Sequence, residues 1–151
     1  MIRLYFDGAC TPINPGGVGT WGFKMRMDSM DFEFEAMGIC EDGKSSTNNV
    51  AEYYGLIEGL AECIKRNFAG QNIFVFGDSS LVCNMAAGVW GKKNPHKKAP
   101  HLIPLLERVH LAIVELNRRG NRVSIQWIPR ESNTDADALT KSAYKEYANR
   151  T

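Results

Sequence analysis

The chain has 151 residues, 44% of them apolar and 23% charged, with a formal net charge of +1. This is ordinary globular composition, with enough chain for one domain around one sizeable core. It excludes a polycation that holds nucleic acid by net charge alone, and no apolar run approaches the ~20 residues needed to cross a bilayer.

The opening Met1-Ile2-Arg3-Leu4-Tyr5-Phe6-Asp7 reaches an acid too early for a signal peptide, so a soluble, cytoplasmic protein is expected. Ile2 to Phe6 reads as a short buried strand stopping at Asp7-Gly8. Pro12, Pro15, Gly16, Gly17 and Gly19 then make a tight connection. Trp21, Phe23, Met25 and Met27 alternate as in a half-buried strand, and Met30 to Ile39 partly repeats the pattern. Asp28 and Ser29 between them suggest a hairpin.

After a polar stretch from Glu41 to Thr47, the period changes. Ala51, Leu56, Leu60, Cys63 and Ile64 share one face at helical spacing, with Asn48 or Asn49 as the expected cap. Beyond Gly70, Ile73 to Phe76 is a continuous apolar strand of the inner, parallel type, ending at Gly77-Asp78. Ser79 to Ala87 reads as a short helix, and Gly88 to Pro100 as an irregular stretch carrying Lys92, Lys93, Lys97 and Lys98. Leu102, Leu105, Leu106, Val109, Ile113 and Leu116 write an amphipathic helix, with Pro104 tolerated in its first turn. Val123 to Ile128 is the fifth strand. The last helix opens near Ser132 to Thr134 and carries Ala136, Leu139, Ala143 and Tyr147 on one face. The order β-β-β-α-β-α-α-β-α spells a single α/β domain over residues 1–151. Cys10, Cys40, Cys63 and Cys83 form no C-x-x-C pair, so small buried thiols are expected, not a zinc or redox site.

Four acids stand out by position. Asp7 and Asp78 end strands, where α/β sheets open a ligand crevice, while Glu52 and Asp137 fall in the first turns of helices. A helix N-terminus stabilises a carboxylate, which accounts for Glu52 and Asp137 without any function. Asp7 and Asp78 have no such account. Were the four to converge, their repulsion would call for a hard, oxygen-preferring cation such as Mg²⁺, and two ions ~3.5–4 Å apart can clamp a phosphodiester.

The local sequences are more specific. Asp7-Gly8-Ala9-Cys10 with Asn14-Pro15-Gly16-Gly17 resembles the opening of type 1 ribonuclease H. Thr47-Asn48-Asn49-Val50-Ala51-Glu52 is similar to that family's T-N-N-x-x-E, and Gly77-Asp78-Ser79 with Leu81-Val82 to its D-S-x-x-(V/L). Asn133-Thr134-Asp135-Ala136-Asp137-Ala138-Leu139 resembles its N-x-x-A-D-x-L. Each motif alone is weak, but all four occur in family order across the chain.

The resemblance implies a ribonuclease H-like fold, a five-stranded mixed sheet in order 3-2-1-4-5 flanked by helices. It implies an endonuclease that cuts the RNA strand of RNA–DNA hybrids, leaving 5′-phosphate and 3′-hydroxyl ends. Its catalytic and metal-holding residues would be Asp7, Glu52, Asp78 and Asp137, around two Mg²⁺ ions, with Mn²⁺ as a substitute. One ion would sit between Asp7, Glu52 and Asp78 beside the attacking water. The other, held by Asp7 and Asp137, would face the leaving 3′ oxygen, with Asp135 as the rival ligand. Substrate contacts would come from the Cys10 backbone, Asn14, Thr47, Asn48 and Asn49, although a helix cap or an Asn-Pro turn also accounts for the asparagines.

Three departures from the family pattern stand out. The loop Trp127 to Asn133 lacks the histidine of the better-known bacterial members, leaving Arg130 or Glu131 as a possible catalytic assist, and with the extra residue in Thr11-Pro12-Ile13-Asn14 it resembles compact, archaeal-like members. Ser80 stands at the substrate-contacting glutamine position, which family members often replace. Their basic handle is shortened to a stretch whose Lys92 and Lys93 either track the DNA strand or are simply solvated. His96, His101 and His110 lie outside the acid motifs and are assigned no catalytic role. No protein partner is evident, and a monomer is expected.

Three other functions share parts of this pattern. A resolvase or integrase core has the strand-end acids but not the T-N-N segment. A receiver domain needs adjacent acids after an early strand, whereas Asp7 stands alone. A hybrid-binding module without catalysis would have no use for acids that repel phosphate.

Overall fold

Alternation along Ile2–Thr11 (β1) sets the centre of the sheet. Ile2, Leu4 and Phe6 are fully buried, while Arg3 is exposed and Tyr5 half-buried between them. The computed structural model describes residues 1–42, 46–88, 96 and 99–150. Val18–Met27 (β2) pairs antiparallel with β1, and Phe32–Asp42 (β3) pairs antiparallel with β2. Asn72–Gly77 (β4) lies parallel to β1, and Arg122–Trp127 (β5) parallel to β4. The strand order is β3-β2-β1-β4-β5, as the resemblance implies.

Asn48–Lys65 (α1), Ser80–Ala86 (α2) and Ile103–Arg118 (α3) pack against one another, with α1 lying over β1 and β2. Thr134–Arg150 (α4) packs on β2, β1 and β3. The helix face read from the sequence is buried through Ala51, Leu56, Leu60 and Cys63, and it meets Leu4 and Phe6 in one core. Each such side chain contributes about 1.5–3 kcal/mol by leaving water. Cys10, Cys63 and Cys83 are buried, Cys40 is half-buried, and all four are free thiols.

Several boundaries differ from the sequence reading. β1 does not stop at Asp7 but runs on to Thr11, because β2 continues to pair with it as far as Thr11↔Val18. What ends near Asp7 is the partnership with β4, whose last pair is Tyr5↔Phe76. β3 begins at Phe32 and extends to Asp42, past the expected Ile39. The cap of α1 is Thr47, whose hydroxyl accepts the Val50 N–H at 3.2 Å, not Asn48 or Asn49, which already belong to the helix. Glu52 therefore lies beyond the first turn, and no acid occupies that turn. Ser79 caps α2 through the Val82 N–H instead of belonging to it. His96 is buried against the Tyr53 hydroxyl at 2.6 Å.

Two glycines let α1 sit directly on the sheet. A Cβ on Gly8 would lie 2.2 Å from the Glu52 amide nitrogen, and one on Gly55 would lie 2.6 Å from the Asp7 carbonyl oxygen. Both contacts are with backbone, which cannot swing aside. Gly8→Ala is therefore expected to cost about 1–3 kcal/mol as α1 is pushed off β1. Urea unfolding measures this, and a variant as stable as the parent would contradict the close approach.

Candidate active site

The parallel register of β1 and β4 puts two acids side by side. Tyr5 pairs with Phe76, and two residues further along each chain stand Asp7 and Asp78. Asp7 pairs across β2 with Gly22, whose missing Cβ makes room for Leu139 and Ala136 of α4. Gly8, one residue on, faces α1 at Ala51 and Glu52. The acid from β1 is thus pinned between a helix on each side.

Asp7, Glu52 and Asp78 each offer a carboxylate oxygen within 4.8 Å of the others. Asp7 and Glu52 are buried, and Asp78 is half-buried. A pocket of about 260 Å³ opens over them, lined also by Asn48, Asn49 and Arg130. The Gly8 N–H donates to Asp7 Oδ1 at 2.9 Å. The Asp78 carbonyl accepts the Trp127 indole N–H at 3.0 Å.

Burial pushes the Asp7 carboxyl up to about 7, against a hydrogen bond from Glu52 that lowers it, with the Asp78 charge adding to the rise. Burial, then the Asp7 charge, hold Glu52 well above the usual carboxylate range. Glu52 Oε2 is buried with no hydrogen-bond partner. Carboxylates so arranged cannot all ionise without a counter-charge.

Asp137 stands close enough for its charge to raise Asp7, yet its carboxylate pairs with Lys141 at 3.0 Å and is not one of the converging three. Its rival Asp135 is committed elsewhere, to Lys24 at 3.3 Å and Arg26 at 3.7 Å. At the rim, Asn14 Oδ1 accepts the Asn48 N–H at 3.1 Å, and Asn48 Oδ1 accepts the Cys10 N–H at 2.7 Å. The Cys10 amide is therefore spent inside the protein. Thr47 is occupied as the helix cap. Ser79, not Ser80, is the serine that lines the pocket, and Arg130 lines it where exposed Glu131 does not. Lys92 and Lys93 lie outside the described residues.

One residue of this centre was quoted only as part of a motif. Asn133, buried within the protein, donates from Nδ2 to Asp78 Oδ2 at 2.9 Å and to the Phe6 carbonyl at 2.8 Å. An asparagine just before a helix reads as a cap, so the sequence offered no sign of contacts reaching two strands.

A family model described as reverse transcriptase-like matches residues 14–143. The chain belongs to that family. Ribonuclease HI of Halobacterium salinarum is 31% identical over 146 residues, covering 94% of this chain and 63% of the relative. The bifunctional protein Rv2228c of Mycobacterium tuberculosis is 35% identical over 98 residues, 65% of this chain but only 24% of the relative. The chain therefore spans less than two thirds of the length of either. The N-terminal RNase H domain of Rv2228c superposes with a TM-score of 0.75 at 27% identity, covering 99% of both chains. LC11-RNase H1, isolated from compost and solved with an RNA/DNA hybrid, gives 0.79 at 25% identity, covering 98% of this chain and 99% of that one. The fold is that of ribonuclease H, and the relatives are type 1 members.

The raised carboxyls make stability depend on pH in a definite direction. Without metal, folded Asp7 keeps its proton up to about 7, while its ordinary value is 3.8. The folded state thus binds more protons between those values, and stability present in acid is lost as pH rises through the window. Thermal unfolding in chelator should show the melting temperature falling from about pH 4 to about pH 7, and Asp7→Asn should flatten that slope. A melting temperature that climbs across the window in the parent would refute the assignment.

Proposed function

We propose that this chain is a metal-dependent endoribonuclease that hydrolyses the RNA strand of RNA–DNA hybrids, leaving 5′-phosphate and 3′-hydroxyl ends. The observation that carries the reading is the convergence of Asp7, Glu52 and Asp78 within 4.8 Å beneath an open pocket. The likeness to a ribonuclease HI and to an RNase H1 solved in complex with an RNA/DNA hybrid supports it.

The donor set fits divalent metal. All three groups are hard oxygen ligands, Glu52 Oε2 lacks any partner, and burial, with the Asp78 charge beside it, holds Asp7 against ionisation. Such chemistry suits Mg²⁺ or Mn²⁺ over softer ions. When bound, two such cations would neutralise the anionic transition state and acidify an attacking water.

The chain's own residues do the rest. Asp7, Glu52 and Asp78 would hold one cation, and Asp7 with Asp137 would hold the second. Turning Asp137 inward would mean giving up exposed Lys141, four residues along the helix from half-buried Asp137. Such pairs contribute only about 0.3–0.5 kcal/mol, so the rearrangement costs little. Arg130 replaces the histidine of bacterial relatives at the pocket wall. The planar, positive guanidinium of Arg130 suits phosphate oxygens and would steady phosphate charge there. Asn48 and Asn49, with Asn14 supporting Asn48, present amide donors to the ribose 2′-hydroxyl, the group that separates RNA from DNA. The roles of Lys92 and Lys93 along the DNA strand rest on their charge alone. Among the described residues no helix is long and apolar enough to cross a membrane.

A strand-specific cleavage assay tests this. With Mg²⁺, the RNA strand of a labelled hybrid is cut and the DNA strand is spared. Asp78→Asn should slow cutting by about 10²–10³-fold while leaving the melting temperature near that of the parent. Equal attack on both strands, or hybrid binding with no cleavage in either Mg²⁺ or Mn²⁺, would overturn the proposal.

A further inference from the structure

Asn133 reaches three of the segments that build the acidic centre: β1, the residue that follows β4, and α4. Its side-chain amide spends both hydrogens, one on Asp78 Oδ2 at 2.9 Å and one on the carbonyl of Phe6 at 2.8 Å. Phe6 is the residue before Asp7. The Asn133 backbone carbonyl accepts the Asp137 N–H at 3.1 Å, opening the helix that carries the fourth acid. A single residue, 1% exposed, therefore ties together the segments bearing Asp7, Asp78 and Asp137.

The orientation of that amide follows from the chemistry. Both groups facing Nδ2 are acceptors, so the flipped amide would set its oxygen against two oxygens. Asn133 Oδ1 is buried with no hydrogen-bond partner, so the two donor bonds alone decide the orientation. Leaving a buried carbonyl unsatisfied is costly, and the arrangement persists because the bonds to Asp78 and Phe6 offset it.

We propose that Asn133 is a positioning residue for the carboxylate set, holding Asp78 Oδ2 so that its other oxygen points to the cation and locking β1 and α4 in register with it. The inference rests on the metal-dependent nuclease reading above. Carboxylate planarity supplies the mechanism: with Oδ2 fixed, the place of Oδ1 is fixed too. Partners one step behind the ligands commonly set metal affinity in this way. Asn133 touches neither substrate nor cation and acts only through Asp78, Asp7 and Asp137.

The test reads metal binding directly. Mn²⁺ is titrated into the purified full chain, and free Mn²⁺ is followed by electron paramagnetic resonance. Asn133→Ala and the near-isosteric Asn133→Asp should each weaken Mn²⁺ binding about 10–100-fold. In cleavage assays the half-saturating Mn²⁺ should rise in step, while KM for the hybrid, measured at saturating Mn²⁺, stays unchanged.

Asn121 provides the matched control. It too is a buried asparagine bridging segments, with Nδ2 bonded to the Phe68 and Leu116 carbonyls and Oδ1 to the Gln71 N–H. It lies at the opposite end of the sheet, next to the first pair of β4 and β5. Asn121→Ala should lower the melting temperature yet leave Mn²⁺ affinity within about twofold, as expected of a distant site.

Unchanged Mn²⁺ affinity in both Asn133 variants overturns the inference. Equal weakening by Asn121→Ala does so as well, since general stability would then explain the effect. Should neither Asn133 variant fold, the parent chain carries the test through the Asn133 side-chain amide resonances during an Mg²⁺ titration. A shift that saturates together with the Gly8 amide supports the role, and no shift rejects it. A parent that binds no Mn²⁺ removes the nuclease reading itself, whereas a binding parent with unaffected variants removes only the role of Asn133.

Discussion

Three carboxylates sharing one small space is the constraint around which this molecule is built. At about 4 Å, two unit negative charges repel by about 4 kcal/mol in a medium of effective dielectric 20. Burial of Asp7 and Glu52 adds to that cost, and the protein meets it here by keeping protons on acids that would ordinarily have lost them. Such a centre is unfavourable for folding, so the scaffold around it has to be stiff. The stiffness comes from β1 lying between strands on both sides, from glycines that bring α1 onto the backbone of β1, and from a core of Ile2, Leu4, Phe6, Leu56 and Leu60 directly behind.

Much of this was legible in the chain because the relevant signals are local. The alternation of Trp21, Phe23, Met25 and Met27 and the helical spacing of Leu56, Leu60 and Cys63 are one-dimensional patterns, and the structure folds them as strand and helix. The strand order was not local information; it came with the resemblance. Errors arose where tertiary pairing overrode punctuation. Asp7-Gly8 reads as a stop, yet β2 carries the ladder four residues further, since Gly8 is there for helix contact and not for a turn. Likewise Asn48 and Asn49 have the chemistry of caps, but Thr47 takes that place, and Asn48 instead spends its carbonyl on the Cys10 amide.

The site shows the same division. That Asp7, Glu52 and Asp78 matter could be suspected from position, but their meeting depends on the parallel register of β1 and β4 and on the height of α1, neither of which is written in any short segment. Asp135 and Asp137 differ in their side-chain partners: Lys24 and Arg26 of β2 engage Asp135, and Lys141 of the same helix engages Asp137, which no helical period reveals for Asp135. Asn133 was the hardest to read. Its two donor bonds reach chain positions 127 and 55 residues away, so only the folded molecule displays them.

The near-neutral charge of the whole chain becomes intelligible in this light. Under the proposed function, a polyanionic substrate approaching Asp7, Glu52 and Asp78 would meet repulsion there, and a formal net charge of +1 is too small to overcome it at a distance. Attraction would then have to be local, from Arg130 at the pocket wall and from cations gathered by the acids themselves. This couples substrate to metal: each phosphate oxygen drawn into the pocket favours the cations, and each cation offsets the charge that would otherwise expel the phosphate. By linkage the two occupancies reinforce each other equally in both directions. A centre that is costly when empty and compensated when filled holds its acids in place for the one ligand combination that relieves them.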